Sequence, residues 1–113
     1  MSQITTHVLD LSLGRPASGV PVVLALRSEA GWEERGRAET DGDGRVRQLL
    51  AAGSVLTPGT YRLTFGLEGY FQARGIESFY PEASIVFQVR DAAQHYHVPL
   101  LLSPYGYSTY RGS

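Results

Sequence analysis

Three histidines, His7, His95 and His97, are the side chains whose charge changes near neutral pH, and so the natural proton carriers of this sequence. Every other cationic side chain is one of ten arginines, because the chain has no lysine. Arginine keeps its proton and presents a planar fork of donors, which suits an anionic or carbonyl-bearing planar ligand rather than proton transfer. Cysteine and asparagine are absent as well. These absences remove thiol nucleophiles, disulfides, thiolate metal sites, Schiff-base lysines and the phosphate-loop lysine together. What is left is acid and base work by imidazole, with electrostatic help from guanidinium.

His7 lies between Thr6 and Val8 in an alternating stretch and shares a face with Thr5 and Leu9. A lone strand histidine is more often a satisfied packing residue than a catalyst, and the same holds for His97. Two such histidines converging from separate strands beside an arginine would polarise a water and stabilise an oxyanion. Spacing alone does not bring them together. His95-x-His97 places two imidazoles on one strand face, as in some zinc sites. No carboxylate stands beside them in sequence, however, and a nearby arginine would repel a dication, so no metal site is expected. Asp41-Gly42-Asp43-Gly44 looks like the start of a calcium loop, yet Ala52 occupies the position where that loop requires a bidentate Glu. The segment reads as a β-turn, with Asp side chains capping the backbone and glycines taking positive φ. No phosphate-cradling pattern occurs over residues 66–75, and no Gly-x-Ser-x-Gly elbow occurs anywhere.

The final stretch, Ser103-Pro104-Tyr105-Gly106-Tyr107-Ser108-Thr109-Tyr110-Arg111-Gly112-Ser113, crowds three tyrosines and an arginine together. It is either a frayed tail or a stacking and hydrogen-bonding surface for a flat polar heterocycle.

The elements that must position these residues are strands. A chain of 113 residues is one ordinary domain, here residues 1–113, and 42% hydrophobic against 19% charged residues supports a packed core. Turn signals recur about every 8 to 15 residues, the pattern of a small all-β sandwich or barrel. Strands are predicted over Ile4–Leu11, Pro21–Arg27, Trp32–Glu39, Thr60–Phe65 and Ser84–Val89. Thr60–Phe65 alternates most cleanly, with Tyr61, Leu63 and Phe65 on one face. The third strand carries more charge and is expected nearer solvent. Glu68–Arg74 lacks two-residue alternation and reads as a short helix ended by Gly75. Two more strands follow from His95 onward, joined at Ser103-Pro104. Counting by twos puts His95, His97, Pro99 and Leu101 on one face and Tyr96, Val98, Leu100 and Leu102 on the core face. Pro99 deletes a ladder donor and so predicts a bulge or an edge.

Net charge is −1 with no basic cluster, which argues against nucleic acid as a partner. The opening Met-Ser-Gln-Ile-Thr-Thr-His has neither a basic nor a long apolar segment, so a cytoplasmic protein with no membrane association is expected. A domain this small gains from burying more surface against copies of itself.

Several segments taken together resemble the 5-hydroxyisourate hydrolases, the transthyretin-related proteins of purine catabolism. They are Thr6-His7-Val8-Leu9-Asp10, the turn Thr40-x-x-Asp43-Gly44-Arg45, Phe79-Tyr80-Pro81-Glu82, and His97-Val98-Pro99-Leu100-Leu101-Leu102-Ser103-Pro104. The most specific is the terminal Tyr110-Arg111-Gly112-Ser113, a tetrapeptide of the hydrolases that the hormone carrier transthyretin lacks.

The resemblance implies a transthyretin-like sandwich of two four-stranded antiparallel sheets with one short helix. It also implies a homotetramer whose active sites lie in the channel between dimers. The implied reaction, a step of urate degradation, is hydrolysis of 5-hydroxyisourate to 2-oxo-4-hydroxy-4-carboxy-5-ureidoimidazoline. His7, Arg45 and His97 would be catalytic, and Tyr110, Arg111 and Ser113 would bind the substrate, with no metal or cofactor. The resemblance thereby reverses the packing reading of His7 and His97, since Thr5, His7 and Leu9 and then His95, His97 and Pro99 would face the channel. Two rivals stand beside it. One is a carrier binding a small aromatic ligand without turnover, and the other is an interaction module in which the histidines are structural.

Overall fold

A computed structural model describes residues 3–113. Met1 and Ser2, part of the opening segment read for a leader, lie outside the described residues. The chain runs β1 (Ile4–Asp10), β2 (Arg15–Pro16), β3 (Pro21–Ser28), β4 (Gly31–Glu39), β5 (Arg45–Val46), β6 (Gly59–Gly66), α1 (Glu68–Gln72), β7 (Glu82–Val89), β8 (Tyr96–Ser103) and β9 (Gly106–Thr109).

Alternation decides which face of each strand is buried. Ile4, Thr6, Val8 and Asp10 of β1 point inward, as do Tyr61, Leu63 and Phe65 of β6 and Tyr96, Val98, Leu100 and Leu102 of β8. These side chains meet between two sheets and are closed at one end by Tyr70 and Phe71 of α1. Burying a side chain the size of Leu63 fully is worth about 1.5–3 kcal/mol, so the apolar face of each strand fixes its register. The more charged β4 is largely exposed, as its composition predicts. The short helix is present where alternation fails, and Gly75 beyond it takes φ 68°.

One sheet has the order β4-β3-β6-β7 and is antiparallel throughout. The other has the order β2-β1-β8-β9, with β5 also pairing β1. The two sheets of the expected sandwich are present, but the second departs from the four-stranded antiparallel expectation in two ways. The two-residue β5 makes the second sheet five-stranded, and the central pairing of β1 with β8 is parallel. A parallel pair requires a long crossover, and here the whole of the other sheet supplies it.

Pro99 marks neither an edge nor a bulge, contrary to its prediction: β8 lies between β1 and β9, in unbroken register with β1. The reason lies on the β9 side. Tyr96 N–H donates to the Gln3 carbonyl next to β1, so two-residue alternation turns the nitrogen of Pro99 toward β9. There the regular pairing stops at Leu100 with Thr109, and contact resumes only at the bridge between His97 and Gly112. The missing donor falls in that gap, and the Pro99 carbonyl accepts a bond from Thr109 Oγ1 at 2.7 Å.

Candidate active site

The outer face of the five-stranded sheet gathers the histidines. β1 and β8 pair so that Thr5 lies opposite His97 and His7 opposite Pro99, while β5 sets Arg45 opposite His7. Directly opposed residues share a face, so Arg45, His7, Thr5 and His97 all project from one surface.

Arg45 owes its place to the turn before it. Asp41 Oδ1 accepts the backbone N–H groups of Asp43 at 2.9 Å and Arg45 at 3.0 Å, and the Arg45 N–H holds the Asp41 carboxyl below its usual range. Gly44 closes the turn at φ 75°, and a Cβ there would stand 2.4 Å from the carbonyl oxygen of Val8. Val8 N–H in turn donates to the Gly44 carbonyl at 2.7 Å, which ties the turn to β1. Only glycine fits, and without that close approach Arg45 would not reach β1.

A cleft of about 300 Å³ opens on this surface, bounded by Thr5, Arg45, Arg47, His95, His97 and Ser113 among others. His97 is half-buried in it. Burial, then the positive charge of Arg45 and the neighbouring His7 and His95, push the His97 imidazole below the ordinary histidine value. It is therefore neutral at pH 7 and has a lone pair to offer. His7 flanks the cleft and donates from Nε2 to the Asp43 carbonyl at 2.8 Å. A carbonyl can only accept, so the lone pair of neutral His7 sits on Nδ1. Among the described residues Arg45 makes no ion pair within 4.0 Å, whereas Arg47 reaches Asp41 at 3.7 Å and Asp43 at 3.5 Å.

The C-terminal tetrapeptide divides. Gly112 N–H donates to the His97 carbonyl at 2.8 Å, and a Cβ on Gly112 would stand 2.6 Å from His97 Cδ2. Glycine lets the backbone lie flat on the imidazole, and Ser113 follows into the cleft. Arg111 points elsewhere: its guanidinium stacks 4.5 Å from the Tyr96 ring centroid and bonds Gln94 Oε1 and the His95 carbonyl. Tyr110 lies beside a separate apolar cavity with Ile85, Phe87 and Val98. Within one chain, then, Arg45, His97 and Ser113 share the cleft, His7 borders it, and Tyr110 and Arg111 anchor the tail outside it.

Sequence reasoning placed His95 on the face of His97 without giving it a role, read Gly112 only as part of the terminal tetrapeptide, and missed Arg47. Arg47 follows Arg45 by two, so alternation could have placed it beside Arg45. Among the described residues, no group of three or more His, Cys, Asp or Glu is placed to hold a metal ion.

A family profile described as the HIUase/Transthyretin family matches residues 4–112. The chain belongs to that family. As a member of the HIUase/Transthyretin family it is 49% identical over 112 residues to a probable 5-hydroxyisourate hydrolase of Caenorhabditis elegans, covering 99% of this chain and 82% of that one. Its identity to the 5-hydroxyisourate hydrolase of Mus musculus is 49% over 115 residues, covering 99% and 96%. Among solved structures, the Klebsiella pneumoniae 5-hydroxyisourate hydrolase superposes with TM-score 0.84 at 37% identity, over 97% of this chain and 98% of that one. Transthyretin from Sparus aurata superposes with TM-score 0.91 at 27% identity, over 99% and 97%. The two kinds of relative share the sandwich, and sequence identity favours the hydrolases.

Proposed function

We propose that this HIUase/Transthyretin-family chain is a 5-hydroxyisourate hydrolase of urate degradation, with the cleft beside His97 as its active site. The observation that carries the reading is the meeting of an imidazole pushed toward its neutral form, the Arg45 guanidinium and Ser113 in one pocket, in a chain that hydrolase relatives match over almost its whole length.

In the reaction, water adds to a ring carbonyl carbon and the adjacent C–N bond opens. His97, with its lone pair available, takes the proton of the attacking water, and His7 and His97 between them return a proton to the leaving nitrogen. Arg45 faces the developing oxyanion with a guanidinium that, among the described residues, has no carboxylate within 4.0 Å. Ser113 supplies a hydrogen bond to the heterocycle. Tyr110 and Arg111 hold the tail in place, which makes their part in binding indirect within one chain. The substrate is unstable in water, so the catalyst supplies only part of the barrier and works without metal or cofactor.

The same reading assigns a cytoplasmic homotetramer with its sites between dimers. Two features support assembly. The edge strands β7 and β9 leave backbone groups unpaired, and Phe79, Tyr105 and Tyr110 expose 67%, 64% and 57% of their surface.

Ultraviolet decay of freshly generated 5-hydroxyisourate tests the function. The intact chain should accelerate the decay, and a chain ending at Thr109 should lose the acceleration. His7→Ala and His97→Ala should each stay folded with turnover reduced by about 10²-fold or more. An intact, assembled protein that leaves the decay rate unchanged would sink the enzyme reading and point to a carrier.

A further inference from the structure

In the same cleft a single hydroxyl touches two imidazoles. Thr5 Oγ1 lies 2.8 Å from His97 Nδ1 and 3.0 Å from His95 Nε2. The two rings stack with centroids 6.5 Å apart and planes 20° from parallel. A threonine hydroxyl carries one proton, so it donates to one imidazole and accepts from the other. The tautomers of His95 and His97 are therefore coupled through Thr5. When Thr5 donates to His95, His97 holds its proton on Nδ1 and turns a lone pair on Nε2 toward the cleft. When Thr5 donates to His97, the lone pair is lost and Nε2–H becomes a donor.

From this arrangement we propose that Thr5 and His95 form a proton relay between His97 and solvent, and that both are positioning residues for the hydrolysis. The inference rests on the hydrolase reading of the cleft. The titratable and charged side chains facing His97 are Arg45 from β5, His7 from β1 and His95 from the segment before β8, with Arg47 further along the cleft wall. None of these is a carboxylate. Among the described residues no carboxylate lies within 4.0 Å of His97, and the Arg45 guanidinium beside it opposes an imidazolium there. His95 is exposed, so a proton passed to it reaches solvent.

The relay gives the proton that route. His97 Nε2 takes a proton from water as the oxygen bonds to the carbonyl carbon. The Nδ1 proton of His97 then moves to Thr5 Oγ1 while the Thr5 hydroxyl proton moves to His95 Nε2, leaving His97 neutral with Nε2–H and His95 cationic. When the C–N bond breaks, Nε2–H passes to the leaving nitrogen. The Thr5 proton returns to His97 Nδ1 and the His95 proton returns to Thr5. One water is consumed, and all three residues end as they began.

Thr5→Val keeps the branched shape that the strand requires and deletes the hydroxyl, whereas Thr5→Ser keeps the hydroxyl. In the 5-hydroxyisourate decay assay, Thr5→Val should lose about 10-fold or more in kcat with KM nearly unchanged, and Thr5→Ser should recover most of it. His95→Ala should lose a similar factor, partly restored by added imidazole, which can reach an exposed site. Nitrogen-15 NMR of His97 should show the Nδ1–H form of the wild type shifting toward a mixture of tautomers in Thr5→Val. Active wild type with Thr5→Val within about twofold in kcat and no change in His97 tautomer would overturn the relay and leave the hydrolase standing. An inactive wild type would overturn both.

Discussion

The outer faces of the two sheets both carry arginines, and they treat them in opposite ways. On the four-stranded sheet every cation facing the strands is neutralised or stacked. Arg37 pairs with Glu34 at 2.5 Å, and Arg27 and Arg62 stand 5.3 Å and 4.5 Å from the Trp32 ring centroid. On the five-stranded sheet Arg45 has, among the described residues, neither a carboxylate within 4.0 Å nor a stacked aromatic ring, and the imidazole next to it is pushed toward neutrality. The first arrangement uses charge to cover a surface and the second leaves charge available for a ligand. Arginine content says nothing about function until the partners are known.

The sharpest way to break this contrast is to truncate one arginine from each face. Arg45→Ala should fold normally and lose turnover by about 10²–10³-fold in the decay assay. Arg62→Ala should keep turnover near wild type and lower the urea midpoint, since its stem covers Ala25, which is only 4% exposed on that outer face. Equal losses of turnover from the two variants would erase the distinction.

Next in size is Gly112→Ala. The added Cβ would meet His97 at 2.6 Å, so the ring or the tail must move. Turnover should fall by about 10-fold or more with little change in thermal midpoint, because the displaced tail contributes little to the core.

A finer probe is the titration of His97. Its imidazole lies below the ordinary value of 6.5, so the acid limb of kcat/KM should fall below that pH. In Arg45→Gln, NMR should find the His97 titration displaced upward, because an opposing charge has gone while the burial remains. A downward displacement would contradict the assigned electrostatics.

The smallest effects concern the core. Asp10 is fully buried, yet its carboxylate accepts bonds from Tyr70 Oη at 2.6 Å, Ser12 Oγ at 2.6 Å and the Ser12 and Leu13 backbone. Burial pushes its carboxyl up, but those bonds, from Ser12 and Tyr70 foremost, hold it below 3.8. The Tyr70 phenol is pushed up to about 12, first by burial and then by the Asp10 bond. The stability due to Asp10 is full above pH 4 or so and lost as pH falls through its depressed value. That due to Tyr70 is full below 10.0 and lost as pH rises through about 12. Tyr70→Phe should cost about 1–3 kcal/mol in urea unfolding near pH 7 and flatten the alkaline loss.

Much of this was legible in the sequence, for identifiable reasons. Tyr61, Leu63 and Phe65 alternate with polar residues, and both the strand and its buried face follow from that. The segment after Phe65 breaks the alternation, and a helix forms there. The faces of β1 and β8 were likewise readable by counting in twos, which put Thr5, His7 and His97 on outer faces. Their juxtaposition was not readable, because it depends on a parallel register between segments at opposite ends of the chain. The two-residue strands β2 and β5 are too short for any periodicity. Pro99 misled because a missing donor is harmless where the neighbouring strand has already stopped. Arg111 and Tyr110 carried the composition of a binding surface, but an aromatic and a guanidinium serve equally well as anchors, as Arg111 on Tyr96 does.

The bond between Thr5 and His97 spans 92 positions of the chain. During synthesis β1 emerges first and has to wait, with its outer edge uncovered, until β8 is made. A pairing with a high loop-closure cost is thus also one on which the cleft depends. Recovery of turnover during refolding would time the docking of β8 and the C-terminal tail, while fluorescence from Trp32 would report the other sheet on its own clock.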